Sequence, residues 1–198
     1  MSTRFFLMRH GQIKANKSGH WHGSTDSPLT FTGRRQARRA SKHVATLNCS
    51  AVYASPLDRC QHTARLATRK TELEVQVIDD LQEMSIGDWE GISFRSLNDD
   101  HDLFSNLKDP DYQPPQGESL RTVGGRVKRA LQDIDQRHGP EETVLIVSHG
   151  VAMGCAVADM LHNDVTRWRD YHFDNCSLTE LLVSPEPLVV SFNQTSHL

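Results

Sequence analysis

Phe5-Phe6-Leu7-Met8-Arg9-His10-Gly11 and Val144-Leu145-Ile146-Val147-Ser148-His149-Gly150 are two versions of one phrase, an apolar run that ends in His-Gly. Each run reads as a strand buried on both faces, because near-continuous apolar runs suit parallel sheets covered by helices, whereas half-exposed strands alternate. Ligands of such sheets gather at the carboxyl ends of the strands. If the two strands are neighbours, His10 and His149 meet at that end. A single histidine leaving a strand would be an ordinary loop residue, so the reading depends on the rest of the chain.

The 198 residues, 37% hydrophobic and 24% charged, suit one α/β domain spanning 1–198 with a real core. A formal charge of -3 and a pI near 6.4 oppose binding to nucleic acid or to a membrane surface, which normally needs a basic excess. An anionic ligand must therefore be met locally. No apolar stretch has the length of a membrane span, and Met1-Ser2-Thr3-Arg4 leads into a run too short for a secretory signal, so a cytoplasmic protein is expected. Cys49, Cys60, Cys155 and Cys176 lack metal-site spacing and read as free thiols.

Outward from the first run, a loop is expected as far as Pro28, then a helix capped by Thr30 or Thr32 and reaching Leu47. Arg34, Arg35, Arg38, Arg39 and Lys42 read as its solvated face. Ala51–Ala54 is a short strand, Ser55-Pro56 opens a helix with proline in its first turn, and Val75–Ile78 is a third strand. This βαβαβ order predicts parallel strands with helices between them. Residues 92–118 are irregular, with a short helix before Lys108 and then Pro110, Pro114 and Pro115, and read as a wall or lid over a pocket. Ser119 caps a helix to Arg137, in which Gly124-Gly125 implies close packing or a bend. After the second run come a helix over Val151–Leu161 and two strands, Cys176–Val183 and Leu188–Phe192, antiparallel at an edge.

Arg9 beside His10, and Arg59 in the first turn of the helix after the second strand, fall at the same rim. Either alone would be read as a surface ion pair. Together with two histidines they make a cationic pocket suited to a phosphoryl group, which arginine's planar fork binds bidentately. His20 and His22 straddle Trp21 without an evident third ligand, so no metal is expected, and Trp21 and His22 read as lining the substrate entrance.

These residues stand in a series. Arg9-His10-Gly11 with Asn16 resembles an RHGxxxxxN signature, Asp26-Ser27-Pro28-Leu29-Thr30 with Gly33 resembles DxPLTxxG, and Ser55-Pro56-Leu57-Asp58-Arg59 with Thr63-Ala64 resembles SxLxRxxxTA. Leu81-Gln82-Glu83 through Gly87-Asp88-Trp89-Glu90-Gly91, then Gly117-Glu118-Ser119 and Ser148-His149-Gly150, complete the order. Nearly the whole chain thus resembles the histidine phosphatase superfamily, the phosphoglycerate mutase-like proteins, in the branch of broad-specificity and alpha-ribazole phosphatases. Gln12 and Ile13 depart from it, where the family usually has an acidic residue and a hydroxyl.

The resemblance implies a three-layer sandwich, with a mostly parallel sheet, an antiparallel edge and helices on both faces. It also implies a phosphatase acting on a small-molecule phosphate ester without cofactor or metal. His10 would attack phosphorus, and Glu83 would protonate the leaving oxygen and then activate water, with Glu90 as the runner-up acid. His149, Arg9 and Arg59 would neutralise the phosphoryl oxygens and Asn16 would add a hydrogen bond. A cofactor-dependent phosphoglycerate mutase and a non-catalytic phosphate-binding regulatory module are the alternatives. A homodimer is possible on this reading.

Overall fold

The two His-Gly strands lie side by side in a computed structural model that describes residues 3–198. The chain runs β1 (Arg4–Arg9), α1 (Lys14–Ser18), α2 (Phe31–Thr46), β2 (Ala51–Ala54), α3 (Asp58–Ala67), β3 (Val75–Val77), α4 (Phe94–Asp99) and α5 (Leu103–Asn106). It continues through α6 (Leu120–Arg137), β4 (Thr143–Ser148), α7 (Gly150–His162), a 3-10 segment (Val165–Asp170), β5 (Leu178–Leu182) and β6 (Leu188–Gln194). The sheet order is β3-β2-β4-β1-β5-β6, with β1 to β4 parallel and β5 and β6 antiparallel. The mostly parallel sheet with an antiparallel edge follows the sequence reading.

Alternation within the apolar runs explains the three layers. Phe5, Leu7, Val144 and Ile146 point to one face, where α6 and α7 supply Val127, Leu131, Met153 and Val157. Phe6, Met8, Leu145 and Val147 point to the other, against Ala40 and Val44 of α2 and Cys60 and Ala64 of α3. No helix among the described residues is long and apolar enough to cross a membrane.

Several boundaries differ from expectation. Thr30, not Thr32, caps α2, its hydroxyl accepting the Gly33 N–H. The helix expected to open at Ser55-Pro56 starts at Asp58: the Ser55 N–H donates to Val147 O and so extends the strand ladder, and proline disfavours helical backbone at the residue before it. The loop after β1 contains α1, nucleated by Asn16 Oδ1 accepting the Ile13 N–H and ended by Gly19 at φ +72°. Residues 92–118 hold two short helices rather than one. Within α6, a Cβ at Gly124 would meet Val165 Cγ1 at 2.9 Å, whereas Gly125 has no such neighbour.

Candidate active site

The register of β1 on β4 pairs Arg9 with Ser148, so the next residues, His10 and His149, leave the sheet together. Their ring centroids are 5.2 Å apart and edge-on. His10 Nδ1 lies 2.8 Å from Gly11 O, and because a carbonyl only accepts, Nδ1 carries the proton and Nε2 keeps a free lone pair. Burial, then the charges of Arg9 and Arg59, hold the His10 pKa well below 6.5, so the ring is neutral. Asn175 Nδ2 fixes the backbone here by donating to His10 O (2.9 Å) and more weakly to Asn16 Oδ1 (3.4 Å). Gly11 is required for space: a Cβ there would lie 2.6 Å from Gly33 O at the start of α2.

Arg9 lines the same cavity as His10. Its Nη1 donates to Phe173 O at 2.7 Å, while its Nε is buried without a hydrogen-bond partner. A buried guanidinium N–H left open is costly unless a ligand fills the role. Asn16 is placed similarly, because its Oδ1 is taken by the Ile13 N–H and its Nδ2 remains available toward the cavity it lines. His22 Nδ1 is engaged by Thr25 Oγ1 at 2.9 Å, and its ring lines the cavity beside Trp21.

Arg59 differs from expectation. It is 1% exposed, and its five N–H groups all meet acceptors of the protein. Nε donates to His149 Nδ1 (3.2 Å), Nη1 to Thr25 O (2.7 Å) and Asp26 Oδ1 (3.2 Å), and Nη2 to His22 O (3.3 Å) and Gly23 O (2.6 Å). The expected fork onto an anion is thus turned onto the loop that carries His22 and Asp26. Arg59 fastens that loop, and its charge depresses the pKa of both imidazoles.

His149 also differs. It is fully buried behind His10, does not line the cavity, and is held neutral by burial first and by Arg59 second. With Nδ1 accepting from Arg59, the proton sits on Nε2 and donates to Ser55 Oγ at 2.8 Å. An imidazolium over the phosphoryl oxygens is not what this arrangement offers; the ring instead ties Arg59 to the end of β2.

Glu83 reaches the cavity from the opposite side. Its Oε1 accepts the Ala152 and Met84 N–H groups (2.8 and 2.9 Å), and its Oε2 accepts the Val151 N–H (3.2 Å). The carboxyl group therefore sits on the first turn of α7, where it accepts N–H groups that the helix itself leaves open. Glu90 is elsewhere: it accepts from Gly23 N, Ser24 N, Ile86 N and Thr25 Oγ1, so it braces the entrance loop and does not line the cavity.

Sequence reasoning missed Arg126. From α6 it donates to Asp80 O, Gln82 O and Glu83 O (2.9, 2.7 and 3.0 Å) and makes a bidentate pair with Glu118 at 2.9 Å on both oxygens. Helical spacing could not have found it, because Glu118 lies outside α6, just before the Ser119 cap, and meets Arg126 only through the way the chain enters the helix. Arg126→Met is expected to lower kcat about 10- to 100-fold by loosening the Glu83 backbone, with KM changed less, as for misplacement of a catalytic group. Esters with activated leaving groups should lose less than alkyl esters. Steady-state kinetics on both classes check this; an equal loss on both would make Arg126 only a fold residue.

The remaining walls are aromatic and apolar, and the cavity encloses about 330 Å³. Trp21 packs at 5.7 Å on Phe94 of α4, and Phe104 of α5 adds to the wall, so two residues of the 92–118 segment line the cavity. Ile13 lines it where a hydroxyl would be usual. Among the described residues, no group of three His, Cys, Asp or Glu side chains is placed to hold a metal ion.

Comparison with known proteins places this geometry. The family model described as histidine phosphatase superfamily (branch 1) matches residues 5–195. A probable phosphoglycerate mutase of Enterobacter is 32% identical over 192 residues, covering 94% of this chain and 87% of that protein. The adenosylcobalamin/alpha-ribazole phosphatase of Escherichia coli is 33% identical, covering 80% of this chain and 79% of its own. Among solved structures, a phosphoserine phosphatase mutant of Entamoeba histolytica in complex with phosphoserine superposes with a TM-score of 0.89 at 28% identity, covering 99% of both chains.

Proposed function

Because the chain belongs to the histidine phosphatase superfamily, we propose that it hydrolyses a small-molecule phosphomonoester through a phosphohistidine on His10, with no metal ion in the reaction. The observation that carries this reading is one cavity lined by a neutral His10 with an open Nε2, an Arg9 with an unpartnered Nε, and the Glu83 carboxyl.

In the first half-reaction His10 Nε2 forms a bond to phosphorus as the bond to the ester oxygen breaks, and Glu83, entering protonated, gives its proton to the departing alkoxide. The ring already carries its proton on Nδ1, and Gly11 O stabilises the positive charge that develops there. Arg9, Asn16 Nδ2 and the His22 ring meet the phosphoryl oxygens. In the second half-reaction Glu83 takes a proton from water as that water attacks phosphorus, the N–P bond breaks, and inorganic phosphate leaves. Arg59 and His149 act from behind as positioning residues that keep His10 neutral.

A phosphoglycerate mutase is the second reading, favoured by the relative bearing that name. It would return the phosphoryl group to an alcohol rather than to water. The experiment is to measure phosphate release from an ester panel with chelator present, alongside trapping of the phosphoenzyme by an alkaline denaturing quench. Phosphate release with a base-stable, acid-labile phosphoenzyme supports hydrolysis. Isomerisation of 3-phosphoglycerate on adding its bisphosphate, with negligible phosphate release, would replace it with the mutase reading.

A further inference from the structure

Arg169 is an exposed residue of the cavity wall that forms no ion pair among the described residues. Its guanidinium carbon lies 4.7 Å above the Phe104 ring and 5.3 Å from the Trp168 ring. It lines the cavity together with both rings. Asp170, the nearest acid in sequence, is paired instead with Arg167 at 2.8 Å. Glu83, the one carboxylate among the lining residues, is occupied by three backbone N–H groups.

The mounting is firm. Trp168 and Arg169 lie on the 3-10 segment that packs on α7, where Gly154 allows an approach so close that a Cβ would meet Trp168 O at 2.9 Å. Phe104 comes from a separate element, α5, so the planar cation is held by rings from two parts of the chain. A guanidinium held over rings keeps N–H groups to offer a ligand, and contact with two rings narrows the conformations of the side chain, which pre-orders those donors at reduced entropic cost. The cavity that Arg169 shares with His10 is lined largely by rings and aliphatic side chains, Trp21, Phe94, Val151 and Phe173 among them, with the His20 and His172 rings beside these.

Resting on the phosphatase reading, we infer that Arg169 is a specificity-determining residue: it binds a second anionic group, a carboxylate or phosphate, on a substrate whose phosphorylated alcohol is flat or apolar in its middle. The phosphoryl end goes to His10 and Arg9, the apolar middle to the aromatic walls, and the distal anion to the Arg169 guanidinium.

The test compares phenyl phosphate with 3- and 4-carboxyphenyl phosphates in the wild type, Arg169→Gln and Arg169→Lys. Taking the ratio of kcat/KM between enzymes for each ester cancels the intrinsic difference in leaving groups. The carboxylated esters should lose about tenfold more than phenyl phosphate in Arg169→Gln, a difference typical of one charge-assisted contact. Lysine, which keeps the charge without the fork, should recover part of that. Calorimetric titration with benzylphosphonate and its carboxylated analogues reads the same selectivity without turnover. Equal binding of the pair by the wild type, or selectivity that survives Arg169→Gln, overturns the inference. Selective binding with no hydrolysis of any ester supports the subsite while overturning the phosphatase reading.

Discussion

His10→Ala is expected to abolish phosphate release, with a loss of about 10⁴-fold or more, because removing a covalent nucleophile leaves only binding and electrostatic stabilisation. The variant should still fold. His10 lies beyond the last residue of β1, and the sheet register, both core faces and the Asn175 contact to its backbone oxygen do not depend on the ring. Wild-type-like hydrolysis in this variant, measured with trapped phosphoenzyme absent, would exclude the covalent route.

The same substitution carries a pH signature. His10 and His149 have folded-state pKa values held well below 6.5, burial being the largest cause for each. The unfolded chain takes up protons on both near 6.5, whereas the folded chain does not. Stability is therefore fully present above about pH 6.5 and falls as the pH drops toward the folded-state values. His10→Ala removes one of the two groups, so its denaturation midpoint should fall less steeply between pH 6.5 and 5 than the wild type's. Chemical denaturation across that interval checks the slope.

The parts of this site that sequence disclosed are those fixed by strand periodicity. Continuous apolar runs required burial on both faces, the parallel register followed, and the neighbouring ends of β1 and β4 brought His10 and His149 to 5.2 Å. The expected roles of Arg59 and His149 fared differently because they depend on which acceptors surround them. Four of the five Arg59 N–H groups are taken by the loop from His22 to Asp26, whose carbonyl directions no residue pattern announces. Burial of His149 then makes the neutral ring the stable form, where a rim position would have allowed charge. Arg126 was hidden for a related reason: it holds carbonyls of the Glu83 loop, and its acidic partner Glu118 lies before the Ser119 cap rather than on α6, so no helical spacing announces the pair.

Glu83→Gln separates the two chemical roles proposed for that carboxyl. An amide keeps the shape and retains one oxygen, which can hold the Met84 and Ala152 N–H groups. Its NH₂ then faces the Val151 N–H, at a site where the carboxylate oxygen now accepts at 3.2 Å. Two donors facing one another cost about 1–2 kcal/mol, too little to unfold a domain of this size. For alkyl phosphates the missing proton donor should slow phosphoryl transfer to His10 by about 10²- to 10⁴-fold. For 4-nitrophenyl phosphate that step needs little protonation and should survive, but hydrolysis of the phosphoenzyme still lacks its base. The expected record is a burst of about one equivalent of nitrophenolate followed by a slow steady rate, with phosphohistidine accumulating, as when the second of two steps becomes limiting. Equal losses on both ester classes without a burst would mean that Glu83 neither donates to the leaving group nor activates water, and that another group in the cavity moves the proton.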